Sequence, residues 1–347
     1  MSWRSCSIGC VRLTSPCPTS FPCSIAANGQ STFQDQRAGN TAMAASTQHF
    51  SFHVGKGGVG KSTTSTLSAL HLARGGKKVL LVSLDPAHNQ CDILDTQLGP
   101  DPKEVAPNLH VAQADIDTWV AEYLRGIESQ IRRTYTYQTA FNLEKHLGVI
   151  KHSPGIEEYA LLLAFRSYAN QSASSPIQAE VVVFDMPPTA LATKFFHLPT
   201  LSLIWVEELL TLRQEIIKKK EIITKIQVGK AEFERDKITC KLNEQQSFFQ
   251  ELKELFQDKE RCAINIVVNP DKLSFAEAER VEATLKDLNI GLGAVIMNKV
   301  GPDGQWDAEM PFLTRNIVRA LPLSSTPLIG LDVLCGYLDG LPGGFPV

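Results

Sequence analysis

The stretch from Gly55 to Ser62 reads GKGGVGKS and contains the residue types of a phosphate-binding loop. Glycines let the backbone turn so that successive N–H groups point inward, and a helix that begins at the loop adds its positive end. Lys61 would contact the β and γ phosphates of a nucleotide, and the Ser62 hydroxyl would bind Mg²⁺. An apolar alternating run precedes the loop and a helical pattern follows it, as this motif requires. The residues expected to bind the phosphates are Gly55, Lys56, Gly57, Gly58, Val59, Gly60, Lys61, Ser62 and Thr63.

A second lysine, Lys56, stands near the start of the same loop. GKGGVGKST resembles the deviant phosphate loop of a class of dimeric ATPases. That class includes division-site and partition ATPases, nitrogenase iron protein, arsenical-pump ATPases and tail-anchored-protein-targeting ATPases. The resemblance implies a homodimer in which Lys56 reaches across the interface to the partner's nucleotide, so that hydrolysis depends on dimer closure. The alternative is a solvated loop lysine.

Two aspartates follow apolar runs that predict strands. Asp85 ends LVSLD, and the carboxyl ends of strands in open α/β sheets collect ligand-binding residues. A carboxylate there can orient an attacking water, although Asp-Pro is also a common turn opener. Asp185 ends EVVVFD and can hold Mg²⁺ through a water, or it can simply cap a helix. The residues predicted at the metal are Ser62, Asp85 and Asp185.

Recognition of adenine is expected at the last strands. Asn298 lies at the end of VIMN, and an Asn amide can pair with both N6 and N7 of adenine. The segment from Arg319, RALPLSSTPLIG, resembles a loop whose backbone wraps the base, with Pro322, Leu323 and Ser324 as contacts. The alternative is a plain Pro/Ser loop.

The segments DPAHN, SPGIEEY, DMPPT, LSFAEAER and VIMNK occur in the order found in arsenical-pump and tail-anchored-protein-targeting ATPases. The chain resembles a prokaryotic-type member, since it lacks the C-x-x-C zinc motif of eukaryotic targeting factors. The resemblance implies ATP and Mg²⁺ as cofactors, a water-positioning role for Asp85 and a place near the γ-phosphate for Asn89. The sequence departs from the family pattern at Met186, where relatives carry Thr, and at Ala190-Leu191, where they carry Gly-His.

Strand-like and helix-like segments alternate along the body of the chain, and several strands are nearly continuous apolar runs. This pattern predicts an α/β fold, a doubly wound, mostly parallel sheet of the P-loop NTPase kind, with helices on both faces. Ser274 and Glu277 have capping-box spacing and predict the start of one crossover helix. The predicted strands lie at 49–54, 77–85, 108–115, 180–187, 262–269 and 293–300.

We expect two parts in the chain. Residues 1–46 are rich in Ser, Thr, Pro and Cys and predict a disordered leader, a targeting segment or a start codon placed too early, since Met43 lies just before the first predicted strand. Residues 47–347 predict the P-loop ATPase domain. Within it, about 115–170 and 200–260 are longer than one crossover needs and favour a helical subdomain, with routine crossover helices as the alternative.

Composition limits the partners. The chain has 347 residues, is 43% hydrophobic and 20% charged, and carries a formal net charge of −3, so a nucleic-acid partner is not expected. The most apolar segment, from Leu198, is interrupted by Glu207 and Glu208 and reads as too short for a membrane span. We therefore expect peripheral membrane contact at most. The expected location is the cytoplasm, or an organelle stroma or matrix if the leader is a transit peptide.

Two functions are compatible with these motifs. One is a targeting or chaperone ATPase whose helical subdomain forms an apolar groove for a hydrophobic client helix, with a membrane receptor as another expected partner. The other is the soluble ATPase subunit of an arsenite or antimonite pump, which would need thiols close together; Cys240 and Cys262 are the only pair near the helical region. A partition scaffold would need a basic face or an amphipathic tail, and neither is evident. The candidate groove residues, for which core packing is the alternative, are Leu201, Leu203, Ile204, Trp205, Leu209, Leu210 and Leu212.

Overall fold

The computed structural model describes residues 48–87, 89–134, 155–174, 177–227, 237–302, 310–341 and residue 345. The predicted leader, 1–46, lies outside these residues, and the extent of the ATPase domain and of a separate helical subdomain stays a prediction. The strands of the described part are β1 (His49–Gly55), β2 (Val79–Ser83), β3 (Lys103–Ala106), β4 (Leu109–Gln113), β5 (Val181–Asp185), β6 (Cys262–Val268), β7 (Leu292–Val300) and β8 (Val318–Pro322). Its helices are α1 (Lys61–Arg74), α2 (Asn89–Leu94), α3 (Ile116–Thr134), α4 (Ile156–Ser174), α5 (Thr189–Gln227), α6 (Lys237–Gln257), α7 (Lys272–Asp287), α8 (Pro311–Thr314) and α9 (Leu331–Asp339).

The described strands form one sheet in the order β3-β4-β2-β5-β1-β6-β7-β8. All neighbours pair in parallel except β3 and β4, which are antiparallel. The predicted α/β, doubly wound, mostly parallel fold is confirmed. Because parallel strands end at the same edge, the residues that follow β1, β2, β5 and β7 lie together there.

Each face of the sheet has its own apolar core. On one face, α4, the first part of α5, the end of α6 and α7 pack on Phe50, Phe52 and Phe184. The rings of Phe52 and Phe184 are stacked with centroids 5.1 Å apart, and Phe196 meets Phe52 edge-on at 5.3 Å. On the other face, α1 and α9 cover the strands. The strands that are buried on both faces are the nearly continuous apolar runs of the sequence.

Two strands and one helix start differ from the sequence predictions. β3 and β8 were not predicted, because β3 is a short edge strand and β8 ends on a proline that suggests a loop. The crossover helix α7 begins before Ser274, since Asp271 is its N-cap and accepts the Ser274 N–H at 2.8 Å. The predicted capping box at Ser274 and Glu277 is therefore wrong, and Ser274 lies inside the first turn.

Helix α5 is longer than the apolar segment suggested. It runs over 39 residues with Pro199 inside it, and its Thr189–Lys219 part is long and apolar enough to cross a membrane by length and composition alone. The expectation that this segment is too short for a span is thus wrong as a statement about length. Phe195, Phe196 and Val206 of the same helix are buried in the core on the sheet, although only 28% of the apolar window is buried.

Candidate functional site

The glycine loop joins β1 to α1 at the carboxyl edge of the sheet. Gly58 and Gly60 have φ angles of 81° and 95°, which side chains other than glycine rarely adopt. Gly55 is fixed by close packing instead, since a Cβ there would lie 2.4 Å from the carbonyl oxygen of Val267 on β6. The loop therefore needs glycine at these three positions for backbone shape and for contact with the neighbouring strand.

Two side chains at the end of β7 hold the loop from behind. Asn298 Nδ2 donates to the Val59 carbonyl at 2.8 Å, and Lys299 Nζ donates to the Gly58 carbonyl at 2.8 Å. Since C=O and N–H of one trans peptide point in opposite directions, the bond to Asn298 turns the Gly60 N–H away from β7. A Cβ on Gly60 would lie 2.2 Å from Asn298 Nδ2, so the two residues are matched in size.

The first turn of α1 presents the remaining phosphate-loop groups. Lys61 is only 5% exposed, and its Nζ lies 3.4 Å from the Lys56 carbonyl, so the ammonium group bends back over the loop. Ser62 is also buried, and Thr63 is half-buried. Lys56 is half-buried, and its side chain makes no hydrogen bond or ion pair with the part of the chain described. This leaves its predicted reach across a dimer interface open to test.

Asp185 ends β5 and is completely buried. The pKa of its carboxyl is raised to about 6, mainly by burial and also by nearby Asp85, while Ser62, Gln90 and Lys61 oppose that shift. Its Oδ2 accepts a hydrogen bond from Gln90 Nε2 at 3.1 Å, but its Oδ1 has no partner. A buried carboxylate oxygen without a partner is unfavourable by itself and becomes favourable beside a cation or a metal-bound water.

Asp85 follows β2 and lies beside Asp185, because β2 and β5 pair and the Leu84 N–H donates to the Asp185 carbonyl at 2.9 Å. Asp85 is buried, and its Oδ1 accepts the Ala87 N–H at 3.0 Å. One carboxylate oxygen of Asp85 therefore opens a turn, as the alternative interpretation of Asp-Pro predicts. The second oxygen remains for a water, so the two interpretations are compatible.

Gln90, on α2, was missed by sequence reasoning. It is fully buried, and its Nε2 lies 3.2 Å from the Ser62 carbonyl and 3.1 Å from Asp185 Oδ2. Its Oε1 accepts the Thr66 hydroxyl at 2.6 Å. Gln90 thus joins the segment after Asp85 to α1 and to Asp185. The predicted γ-phosphate residue Asn89 precedes it as the first residue of α2. A glutamine in a short helix gives no sequence signal of such burial.

The predicted adenine residues lie at the ends of β7 and β8, which are neighbours in the sheet. The Asn298 amide nitrogen is already bonded to the phosphate loop, so pairing with a base would use its oxygen or require the amide to turn. The Pro322 carbonyl accepts the Tyr337 hydroxyl at 2.7 Å, and the Leu323 N–H donates to the Val300 carbonyl at 2.7 Å. The Leu323 side chain is exposed beyond the end of β8, and Ser324 closes a local turn with Thr326. Lys299, which contacts the loop, was not predicted.

The arrangement fits a nucleotide with a divalent metal. A glycine loop and Lys61 lie at one edge of the sheet together with Ser62, Asp85 and Asp185, and Asp185 Oδ1 is unused. Hard cations such as Mg²⁺ prefer oxygen ligands and usually keep several waters, which Asp185 could hold. The described residues contain no cluster of three or more His, Cys, Asp or Glu that could bind a metal by themselves. The metal would therefore depend on the phosphates, as in other P-loop enzymes.

Comparison with known proteins agrees with this geometry. The model of the anion-transporting ATPase family matches residues 48–318. The chain belongs to this family. An Aquifex aeolicus protein named as an arsenical pump-driving ATPase is 32% identical over 257 residues, which cover 74% of this chain and 81% of that relative.

Relatives with another kind of name are nearly as similar. The ATPase ASNA1 homolog of Entamoeba histolytica is 30% identical, over 72% of this chain and 75% of its own length. ATPase GET3 of Komagataella phaffii is 29% identical, over 71% of both chains. The predicted family and the predicted ATPase activity are confirmed. This ATPase therefore binds nucleotide with a metal as its family does, while the roles of individual site residues stay predictions.

Proposed function

We propose that this ATPase uses Mg-ATP to control the binding of a hydrophobic client helix, as a targeting factor or chaperone. The observation that carries the proposal is an exposed apolar stripe on α5, which we call the α5 stripe. Its residues recur at helical spacing, and Trp205 is 68% exposed. The α5 stripe consists of Leu201, Ile204, Trp205, Leu209, Leu212 and Ile216.

The α5 stripe differs in part from the groove predicted from the sequence. Leu203 is buried in the core, and Leu210 packs partly against it, so these two residues are not available to a client. Ile216 extends the stripe instead, and Ile238 on the neighbouring helix α6 is also exposed. A continuous exposed apolar patch of this kind marks an interaction surface rather than scattered surface residues. An amphipathic or hydrophobic helix is the partner that fits a helical apolar surface.

The stripe is connected to the nucleotide edge by the chain itself. Helix α5 begins at Thr189, four residues after Asp185. Ser62 and, through water, Asp185 would hold Mg²⁺, which neutralises phosphate charge during hydrolysis. Lys61 and the loop N–H groups would hold the phosphates, and Asp85 would orient the attacking water. Relatives named ATPase GET3 and ASNA1 homolog support the client-handling role.

We propose a homodimer in which Lys56 completes the partner's site. Its half-buried side chain has no partner within the described residues, which leaves the ammonium group available. We also propose a cytoplasmic protein without a nucleic-acid partner and with peripheral membrane contact at most. Core contacts of Phe195, Phe196 and Val206 support the last point, since α5 could enter a bilayer only by giving them up.

The alternative, the soluble subunit of a metalloid pump, is supported by the relative named as an arsenical pump-driving ATPase. The thiols argue against it. Cys240 is exposed near the start of α6, whereas Cys262 is buried on β6, and roughly 25 Å of helix separates them at 1.5 Å per residue. Burial also raises the pKa of the Cys262 thiol, which opposes the thiolate that a soft metal needs. Ala190-Leu191 also stand where the family resemblance places Gly-His, so the histidine that the resemblance associates with the metal site is absent there.

A binding assay tests the client proposal. A labelled apolar helical peptide of about 20 residues is titrated into the full chain with ATP, with ADP and without nucleotide. We expect nucleotide-dependent capture that Trp205→Asp with Leu209→Asp weakens at least tenfold. The control is Ile317→Asp, since Ile317 is 61% exposed but lies outside α5. Capture that the α5 variant leaves unchanged would refute the proposal, and turnover stimulated by arsenite would favour the pump.

A further inference from the structure

A cavity of about 260 Å³ lies on the α1 side of the sheet, toward the amino ends of the strands. Most of its lining residues therefore lie away from the phosphate loop, and His53, two residues before Gly55, lies at the end nearest the loop. Strands β1, β6 and β7 form its floor, and Ser68 and Leu72 of α1 form part of its roof. At roughly 30 Å³ per water, this space corresponds to a group of several non-hydrogen atoms rather than to a single buried water.

His53 is the feature of this cavity that needs an explanation. Its side chain is 0% exposed and lines the cavity, yet neither ring nitrogen has a hydrogen-bond partner. Burial lowers the pKa of His53 to about 3, so the ring is neutral near pH 7 and offers one donor and one acceptor. Native proteins rarely leave such groups unpaired, since each costs about 1–3 kcal/mol.

The cavity also contains a cation without a counter-ion. Arg319 on β8 pairs in register with Ile296 on β7, and Ile296 packs in the core on the α1 side. Arg319 is half-buried, it lines the cavity, and it makes no hydrogen bond or ion pair with the described residues. Burial lowers its pKa, and no carboxylate near it offsets that shift. An anion is the group that would remove this penalty, and a guanidinium is suited to a carboxylate.

The other residues that line the cavity restrict the kind of ligand that fits. Leu72, Val181 and Ile296 are apolar, so part of the ligand should be apolar as well. Asn265 Nδ2 donates to the Ser51 hydroxyl at 3.0 Å, so the Asn265 side-chain oxygen is left to accept a hydrogen bond from a polar group of the ligand. Glu260 lines the cavity, but so do Lys77 and Arg261, so the lining keeps a net positive charge that favours an anionic ligand. A small apolar body with one carboxylate and one hydrogen-bonding group satisfies all three conditions.

We propose that this cavity binds a small organic monocarboxylate, with its carboxylate on Arg319 and a polar group on His53. The site is separate from the nucleotide edge, and the proposal does not depend on the client-handling function. Ser68 and Leu72 belong to the helix that starts at Lys61, so an occupant would contact the far half of the phosphate-loop helix.

The probe is 4-hydroxybenzoate, titrated into the nucleotide-free full chain by calorimetry and by ligand-observed NMR. Its neutral analogue 4-hydroxybenzamide and inorganic phosphate are run beside it. We expect saturable binding of the carboxylate only, weakened at least tenfold by Arg319→Gln and by His53→Leu. Arg319→Lys should retain part of the affinity. The matched control is Arg125→Gln, which removes an exposed positive charge on α3.

Each other outcome overturns the proposal. No saturable binding of the carboxylate would mean that the cavity holds only solvent. Equal binding of the amide would remove the role of the Arg319 charge, and equal binding of phosphate would show a general anion site. Binding that survives both Arg319→Gln and His53→Leu would place the ligand elsewhere. Thermal unfolding of each variant shows whether it is folded, and the loss of binding in His53→Leu is the test if Arg319→Gln does not fold.

Discussion

The buried ring of His53 predicts a specific dependence of stability on pH. Its pKa is lowered from 6.5 to about 3 by burial, so below pH 6.5 the unfolded chain takes up a proton that the native ring does not. The free energy of unfolding therefore falls as the pH falls. Between pH 7 and pH 5 this lowers the free energy of unfolding by about 2 kcal/mol. About 1.5 pH units of that interval lie below the unfolded pKa of 6.5, and each contributes about 1.36 kcal/mol.

Asp185 acts in the opposite direction. Its pKa is raised from 3.8 to about 6, mainly by burial, so below pH 6 the native carboxyl takes up a proton that the unfolded chain does not. This raises the free energy of unfolding by about 1 kcal/mol between pH 7 and pH 5. The two contributions partly cancel in the native chain. His53→Leu should leave the Asp185 contribution, and Asp185→Asn should leave that of His53.

Urea unfolding followed by circular dichroism, without Mg²⁺ or nucleotide, measures these differences. Acidification from pH 7 to pH 5 should stabilise His53→Leu relative to the native chain by about 2 kcal/mol. It should destabilise Asp185→Asn relative to the native chain by about 1 kcal/mol. All other groups are shared, so they drop out of the comparison. If His53→Leu keeps the pH dependence of the native chain, the ring is not buried in its neutral form and the reasoning is wrong.

The remaining predictions concern the nucleotide edge. Lys61→Ala should abolish nucleotide binding or turnover by removing the charge on the β and γ phosphates, and near-normal hydrolysis would contradict that role. Asp85→Asn should bind Mg-ATP but hydrolyse it slowly, so a loss of binding as severe as in Lys61→Ala would exclude a water-orienting function. Lys56→Ala should lower turnover while a titration shows ADP affinity nearly intact; unchanged turnover would mean that the lysine is only solvated. Gln90→Leu should raise the Mg²⁺ requirement about tenfold and move the acid limb of the pH–rate profile upward, because the Gln90 hydrogen bond lowers the pKa of Asp185. An unmoved acid limb would show that Gln90 only packs.

Strand ends account for most of what the sequence could predict. Long apolar runs and a glycine loop are local signals in the sequence. They predict β1, β2 and β5 and the aspartates at the ends of the second and third of these strands. The edge strands β3 and β8 are short and partly exposed, and they lack that signal. Their existence depends on the neighbouring strand that each one pairs with.

The side chains that sequence reasoning missed act through tertiary contacts. Gln90 matters because α2 folds it against Ser62 and Asp185, and Lys299 matters because the end of β7 lies behind Gly58. Neither arrangement leaves a pattern in the neighbouring residues. Likewise, Leu203 has the same chemistry as the exposed members of the α5 stripe, and only its direction on the helix places it in the core.

Helix α5 is the element through which nucleotide state and the α5 stripe can be coupled. Phe195 and Phe196 contact Phe52 at centroid distances of 6.1 and 5.3 Å, so the first turns of α5 are fixed to the sheet just beyond the Asp185 segment. Pro199 follows, and a proline inside a helix removes one backbone hydrogen bond and weakens the helix at that point. Most residues from 207 to 219 are exposed and have little core packing to restrain them. Leu203 and Val206, which follow Pro199, are buried in the core, so a shift at the phosphate edge would be transmitted along α5 past Pro199 to the exposed α5 stripe. A surface that binds a client in one nucleotide state and releases it in another requires such a connection between the nucleotide edge and an exposed apolar face.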